Sequence, residues 1–225
     1  MYEDLQFEHS STVDRAADGI RRALFAGQLA PGTPLREVAL SAAMGVARST
    51  VREALGSLVA EGVAVRIPNK GVAVKELSAE DVMDVSRARI ALESAGVRRW
   101  SQAGPEARQA LREALEHYAV LAGLSTEPDE LTAAHLAIHS ALVGLTESSR
   151  LVAAAGALSA EIRLGLAHLD RVRANVADQV SDHRHLVALL ETGDVDAAID
   201  ELGRHLAAAE VSLLEATGHS TAASS

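Results

Sequence analysis

The chain of 225 residues contains no cysteine. That absence excludes disulfides, thiolate zinc fingers, iron–sulfur clusters and cysteine nucleophiles together. Aromatic residues make up only 2%, too few for a platform that stacks bases on Phe or Tyr. No apolar run approaches the roughly 18–20 residues needed to span a bilayer. The longest, Leu151–Ala160, is mostly alanine and stops at Glu161. Met1–Ser10 is acidic and polar and lacks the apolar stretch of a secretory signal, so a cytoplasmic location is expected. What remains is 48% hydrophobic and 23% charged, the balance of a folded chain with room for one or two domains.

The net charge of −10 argues against a nucleic-acid partner only when averaged over the whole chain. Residues 19–75 carry eight basic side chains against three acidic ones. An acidic excess from residue 76 onward more than cancels them. Eight of the nine histidines also lie beyond residue 116. Such asymmetry points to a nucleic-acid-binding part joined to something else.

Apolar spacing and breakers divide the chain. Residues 13–27, 37–44 and 47–61 read as three helices, closed by Gly27, Gly45 and Gly62. Val63–Ile67 and Val72–Lys75 are β-prone around the turn Pro68-Asn69-Lys70-Gly71. Three short helices and a hairpin are the parts of a winged helix-turn-helix. From Ser78, an N-cap followed by acidic residues, the pattern is helical almost throughout. Breaks at Gly104-Pro105, Glu127-Pro128, Glu147-Ser148, about Asn175 and Gly193-Asp194 leave about six helices: 78–102, 105–123, 129–145, 148–170, 175–192 and 194–217. The expected class is mainly α. The expected domains are a winged helix-turn-helix over 1–77, an all-α helical bundle over 78–217 and a disordered tail over 218–225.

In the third helix Arg48 and Arg52 share a face, with Ser49 and Thr50 beside them at its N-terminal end. Val51, Leu55 and Leu58 form the inward stripe, which turns the polar residues outward. A helix entering the major groove needs guanidiniums for guanine edges or phosphates and hydroxyls for phosphates. Arg36 could clamp a backbone phosphate, and Lys70 at the hairpin tip could reach a minor groove. A solvated basic face fits the spacing equally well.

The stretch Leu29-Ala-Pro-Gly-Thr-Pro-Leu-Arg-Glu37, then Gly45-Val-Ala-Arg-Ser-Thr-Val-Arg-Glu-Ala-Leu55, then Asn69-Lys70-Gly71, resembles the DNA-binding domain of GntR-family bacterial regulators. The resemblance covers about residues 13–77. It implies that Arg36, Arg48, Ser49, Thr50 and Arg52 contact operator DNA, with Lys70 and Gly71 in the minor groove. Ala47 stands where the family has serine, which removes one hydroxyl from the phosphate face.

His135 and His139 are four residues apart, on one helix face, and His183 and His205 lie on later helices. Imidazoles so arranged could hold a Zn²⁺-type ion inside a bundle. Surface histidine is the other reading, since His117, His168, His185 and His219 are used freely elsewhere. Residues 78–217 also resemble the effector-binding domain of the FadR/FCD subfamily. The resemblance rests on Arg89-Ile-Ala-Leu-Glu93, on His139-Ser-Ala-Leu with Ser148-Ser-Arg-Leu151, on His183 through Asp194, and on Arg204-His205-Leu206. It implies that His139, His183 and His205 ligate a divalent metal. His135 stands where that subfamily has Asp, and a four-His set favours Zn²⁺ or Ni²⁺ over Mn²⁺. Arg89 would grip a small carboxylate effector, or else make a surface ion pair with Glu93. Trp100 and Tyr118 read as core or interface residues.

The function these features imply is a homodimeric, ligand-responsive transcription regulator, a repressor by default, on a pseudo-palindromic operator. A direct metal sensor and a metal-dependent enzyme are the alternatives. The enzyme reading lacks a carboxylate at 135 and any HExxH segment. No membrane partner is expected.

Overall fold

The computed structural model describes residues 11–124, 126–167 and 176–219. Expectations for Met1–Ser10, for the break at Asn175, for His168 and for the tail from residue 220 lie outside them. The chain divides into two compact units, Met1–Lys75 and Glu76–Ser225.

The first unit opens with α1, Thr12–Phe25. Ser11 and Asp14 close a capping box on it, each side chain bonding the other's backbone N–H. The helix therefore starts at Thr12, one residue before the apolar periodicity does. Ala16, Ala17, Ile20 and Leu24 recur at helical spacing and are buried. They pack against the buried stripe Val51, Ala54, Leu55 and Leu58 of α3, Arg48–Ala60. Each such leucine stabilises the unit by roughly 1.5–3 kcal/mol. Arg21 forks onto Glu61 at 2.9 and 2.7 Å and ties α1 to the end of α3.

Between them lies α2, Glu37–Met44. It ends on Gly45 at φ +65°, a left-handed conformation that glycine adopts without strain. Ser41 Oγ donates to the Val46 carbonyl at 2.6 Å and braces the same turn. The wing is an antiparallel hairpin of β1, Ala64–Ile67, and β2, Gly71–Val74, in register Ala64↔Val74 to Ile67↔Gly71. Its tip bonds Lys70 N–H to the Ile67 carbonyl at 3.1 Å, and Asn69 takes φ +62° after Pro68. Proline followed by a positive φ is the pattern of a type II turn. The outer edge of β2 is also paired. Leu35 N–H donates to the Val72 carbonyl, Val74 N–H to the Thr33 carbonyl, and Pro34 bridges Ala73. The segment after the Pro31-Gly32 turn thus serves as a third, short strand.

Six helices follow among the described residues of the second unit: α4 Ala79–Arg98, α5 Pro105–Ala122, α6 Pro128–Gly144, α7 Ser149–Leu166, α8 Val176–Thr192 and α9 Val195–Ala216. Their starts have local causes. Ser78 and Asp81 form a second capping box, Pro105 and Pro128 occupy first-turn positions, and Asp194 caps α9. α4 ends at Arg98 rather than near 102, because Arg99 to Ala103 close into turns. Glu147 makes the α6–α7 corner at φ +54°. The main core is aliphatic, built on Leu111, Ile138, Leu142, Leu145, Leu190 and Leu202. α4 and α6 touch backbone to backbone, since a Cβ on Gly96 would sit 1.8 Å from the Leu142 carbonyl oxygen. Among the described residues no helix is long and apolar enough to cross a membrane.

Candidate functional site

Two groups of side chains stand out, one on each unit. On the first, Arg48 and Arg52 project from the N-terminal half of α3 and are 62% and 61% exposed. They are not free. Glu37, in the first turn of α2, receives Arg52 Nε and Nη2 at 2.9 and 2.8 Å, and Arg48 Nη2 approaches it at 3.9 Å. The Arg52 hydrogen bonds hold the Glu37 carboxyl below its ordinary range, while Glu37 holds the Arg52 guanidinium up. Glu37 so orients both guanidiniums on one outward face. Ser49 is exposed and Thr50 half-buried beside them. Arg36 precedes α2 and is exposed, as are Lys70 and Gly71 on the wing. Ala47 is the N-cap of α3 and makes no side-chain cap bond.

The second unit brings its four histidines together. His135 and His139 come from α6, His183 from α8 and His205 from α9, with one ligand atom of each within 4.8 Å of all the others. His139 Nε2 lies 3.4 Å from His135 Nε2 and 3.3 Å from His183 Nε2. Tetrahedral coordination with metal–nitrogen bonds of ~2.0–2.1 Å imposes edges of ~3.3–3.4 Å. Two of these imidazoles have their tautomers fixed from behind. His183 Nδ1 donates to the Gln179 carbonyl at 2.6 Å, and His139 Nδ1 faces Glu93 Oε2 at 2.8 Å. Their Nε2 atoms therefore present lone pairs to each other, a contact that a cation resolves. His205 Nε2 is buried with no hydrogen-bond partner among the described residues.

Burial pushes all four imidazoles toward the neutral form, His205 down to about 3, and their mutual proximity adds to the effect for His135, His139 and His205. Neutral imidazole is the form that ligates a metal. An unpaired buried polar nitrogen costs about 1–3 kcal/mol, and an ion at the centre removes that penalty. The donor set thus fits a divalent cation of the Zn²⁺ or Ni²⁺ kind.

Arg89 and Glu93 lie behind this group on α4. They do form the i, i+4 ion pair, at 2.9 Å, but it is buried rather than on the surface. Arg89 uses Nε on Glu93 Oε1, which leaves Oε2 for His139. Burial raises the Glu93 carboxyl and Arg89 pulls it back. Arg89 Nη2 is buried without a partner among the described residues. Arg89 lines a cavity of about 760 Å³ that also reaches His135 and His205.

Two contributors had no sequence reading as such. Glu93 was legible only as a partner of Arg89, and its contact with His139 bridges 46 residues. Tyr118, read as core, is buried and stacks on the His135 ring at 5.1 Å, and its hydroxyl donates to Gln179 Oε1 at 2.8 Å. Burial raises the phenol to about 12, so it stays a donor. Trp100 is core, with Arg108 and Arg112 over its ring. Of the other histidines, His117 and His185 are exposed, and His219 bonds the Leu77 carbonyl at 3.1 Å.

A winged helix-turn-helix with an outward guanidinium face, in one chain with an all-helical unit holding four clustered imidazoles, defines a DNA-binding transcription regulator. Residues 12–74 match the bacterial regulatory proteins of the gntR family, and residues 84–208 match the FCD domain. The chain belongs to the GntR family of bacterial regulators and carries an FCD domain. It is 28% identical over 213 residues to a probable D-xylose utilization operon transcriptional repressor of Paenarthrobacter nicotinovorans, covering 94% of this chain and 91% of that one. It is 32% identical over 138 residues to the Nta operon transcriptional regulator of Aminobacter aminovorans, covering 59% and 63%. The crystal structure of a putative GntR transcriptional regulator from Rhodococcus sp. RHA1 is similar at 27% identity and a TM-score of 0.79, covering 92% of this chain and 99% of that one.

Proposed function

We propose that the protein is a repressor whose operator affinity is set by a small carboxylate effector bound beside a His-ligated divalent metal. Residues 1–77 form the DNA-binding domain and 78–217 the effector-binding and dimerisation domain. Arg36, Arg48, Ser49, Thr50 and Arg52 contact the operator, and Lys70 and Gly71 enter the minor groove. His135, His139, His183 and His205 hold Zn²⁺ or Ni²⁺. The effector's carboxylate meets Arg89 Nη2. A homodimer places two recognition helices on a pseudo-palindromic site in the cytoplasm.

One observation carries the reading: Arg89 and His205, each with a buried nitrogen that has no partner among the described residues, line the same cavity. Ligand control then follows from linkage, since an effector that fits one arrangement of the helical domain better shifts the population able to bind DNA. The test is selection of DNA from a random library by the full-length protein, with and without Zn²⁺. An inverted repeat is expected, and Arg48→Ala and Arg52→Ala should each lose it. Recovery of the same repeat by both variants would overturn the DNA assignment.

A second reading, the direct metal sensor, draws on the four imidazoles, since four neutral donors alone can complete a tetrahedral site. Operator affinity that tracks Zn²⁺ with no organic acid present would select it. For a metal-dependent enzyme, Glu93, the carboxylate in contact with His139, is committed to Arg89 and His139 rather than free to act as a base.

A further inference from the structure

The cavity of about 760 Å³ is far larger than a two- or three-carbon acid fills, and its charged lining residues differ in exposure. Its floor is made by Arg89, only 9% exposed, with His135 and His205 of the imidazole group. Glu93 pairs with Arg89, and imidazole ligates as an uncharged donor, so a divalent ion on the four histidines would leave the floor cationic. Five buried apolar side chains, Val85, Leu131, Leu136, Ile162 and Leu213, also line it. The rest of the lining carries four carboxylates: Asp178 and Asp182, one turn apart on α8, and Glu210 and Glu215 on α9. Asp178, Asp182 and Glu215 are exposed and Glu210 is half-buried. None of the four enters an ion pair among the described residues.

We infer that the effector is a zwitterion: a carboxylate at one end, an apolar spacer, and a cationic amine or guanidine at the other, held by Asp178, Asp182, Glu210 and Glu215. The inference rests on the carboxylate reading proposed above and narrows it. The same rim disfavours a dicarboxylate, whose outer charge would meet four like charges. A neutral acid uses the floor and the apolar side chains and leaves the rim to water.

The test uses two matched sets of probes on the full-length, Zn²⁺-loaded protein, read by titration calorimetry. One set is hexanoate, 6-aminohexanoate and adipate. The other is octanoate, 8-aminooctanoate and suberate. In at least one set the amino acid should bind about fivefold or more tighter than the neutral acid, with the diacid weakest, as a half-exposed charge pair allows. The preference should shrink as NaCl rises. Asp178→Asn with Asp182→Asn should reduce it below about twofold while the neutral acid keeps its affinity. Because that double variant sits on an exposed face of α8, its melting temperature is followed alongside, and the salt series on the unaltered protein tests the same preference independently. A neutral acid or diacid that binds as tightly as the amino acid in both sets overturns the inference and leaves the carboxylate reading standing. No binding by any acid, with the thermal shift unchanged in Arg89→Ala, overturns the carboxylate reading itself.

Discussion

The two units treat charge in opposite ways. On the winged helix the guanidiniums of Arg48 and Arg52 stand in water, share one carboxylate, Glu37, and cost little to keep charged. In the helical unit His139, His183, Glu93 and Arg89 are withdrawn from solvent. There each polar atom needs a partner, and two of them, Arg89 Nη2 and His205 Nε2, lack one among the described residues. Exposure keeps a surface available to any phosphate backbone, with selectivity left to base edges. Burial makes the second site demanding, because only a ligand that satisfies its orphaned nitrogens removes their desolvation cost.

The contrast can be broken most severely at Gly96. Gly96→Ala would force a methyl into the Leu142 carbonyl, 1.8 Å away, and should destabilise the helical unit by about 3 kcal/mol or more. Calorimetry should show one transition lowered and the winged-helix transition unmoved. Movement of both would mean that the units unfold together.

Arg52→Ala comes next. It should cost about 1–3 kcal/mol in operator binding and change stability by less than about 0.5 kcal/mol, since the side chain is exposed. Electrophoretic mobility shift and a melting curve on one preparation measure both. A large drop in stability would show that the Glu37 pairing is structural rather than a device for orienting Arg52.

Acid should separate the units further. An imidazole held neutral in the fold is protonated more readily after unfolding, so the metal-free helical unit should lose stability as pH falls below about 6.5. The loss continues until the folded-state value is reached, at about 3 for His205. Each histidine contributes a slope of at most about 1.4 kcal/mol per pH unit. The raised Glu93 carboxyl acts in the opposite sense and offsets part of it. The winged helix has no histidine among its described residues, so urea melts between pH 7 and pH 5 should move only the helical transition. Equal movement of both would rule out the buried imidazoles as the cause.

The smallest expected effect is a gain. Ala47→Ser supplies the missing cap of α3, and the backbone there is already extended at φ −63°, ψ 149°. Stability of the winged helix should rise by about 0.5–1 kcal/mol. A neutral result by chemical denaturation would mean that water caps the helix equally well.

Much of the fold was legible because its punctuation is local. Gly45, Gly62, Pro105, Pro128 and Asp194 stop or start helices through their own backbone or side-chain chemistry, and the hairpin follows from Pro68-Asn69-Lys70-Gly71. The paired strand at Thr33–Leu35 was not legible. Its hydrogen bonds reach about forty residues along the chain, and three residues carry no alternation. The early end of α4 was missed for the same sort of reason, since nothing in Arg99-Trp100-Ser101-Gln102 breaks a helix by itself.

The candidate site divides along the same line. The sequence by itself determined that any metal here must be held by imidazole or carboxylate, and that His135 and His139 share a helix face, because helix geometry sets what lies four residues apart. Only the tertiary structure decided that His183 and His205 reach the same point, that Glu93 backs His139 and not Arg89 alone, and that Arg89 is buried. Those outcomes depend on how α4, α6, α8 and α9 pack. Packing is fixed by the shapes of many side chains at once, so no spacing along the chain encodes it.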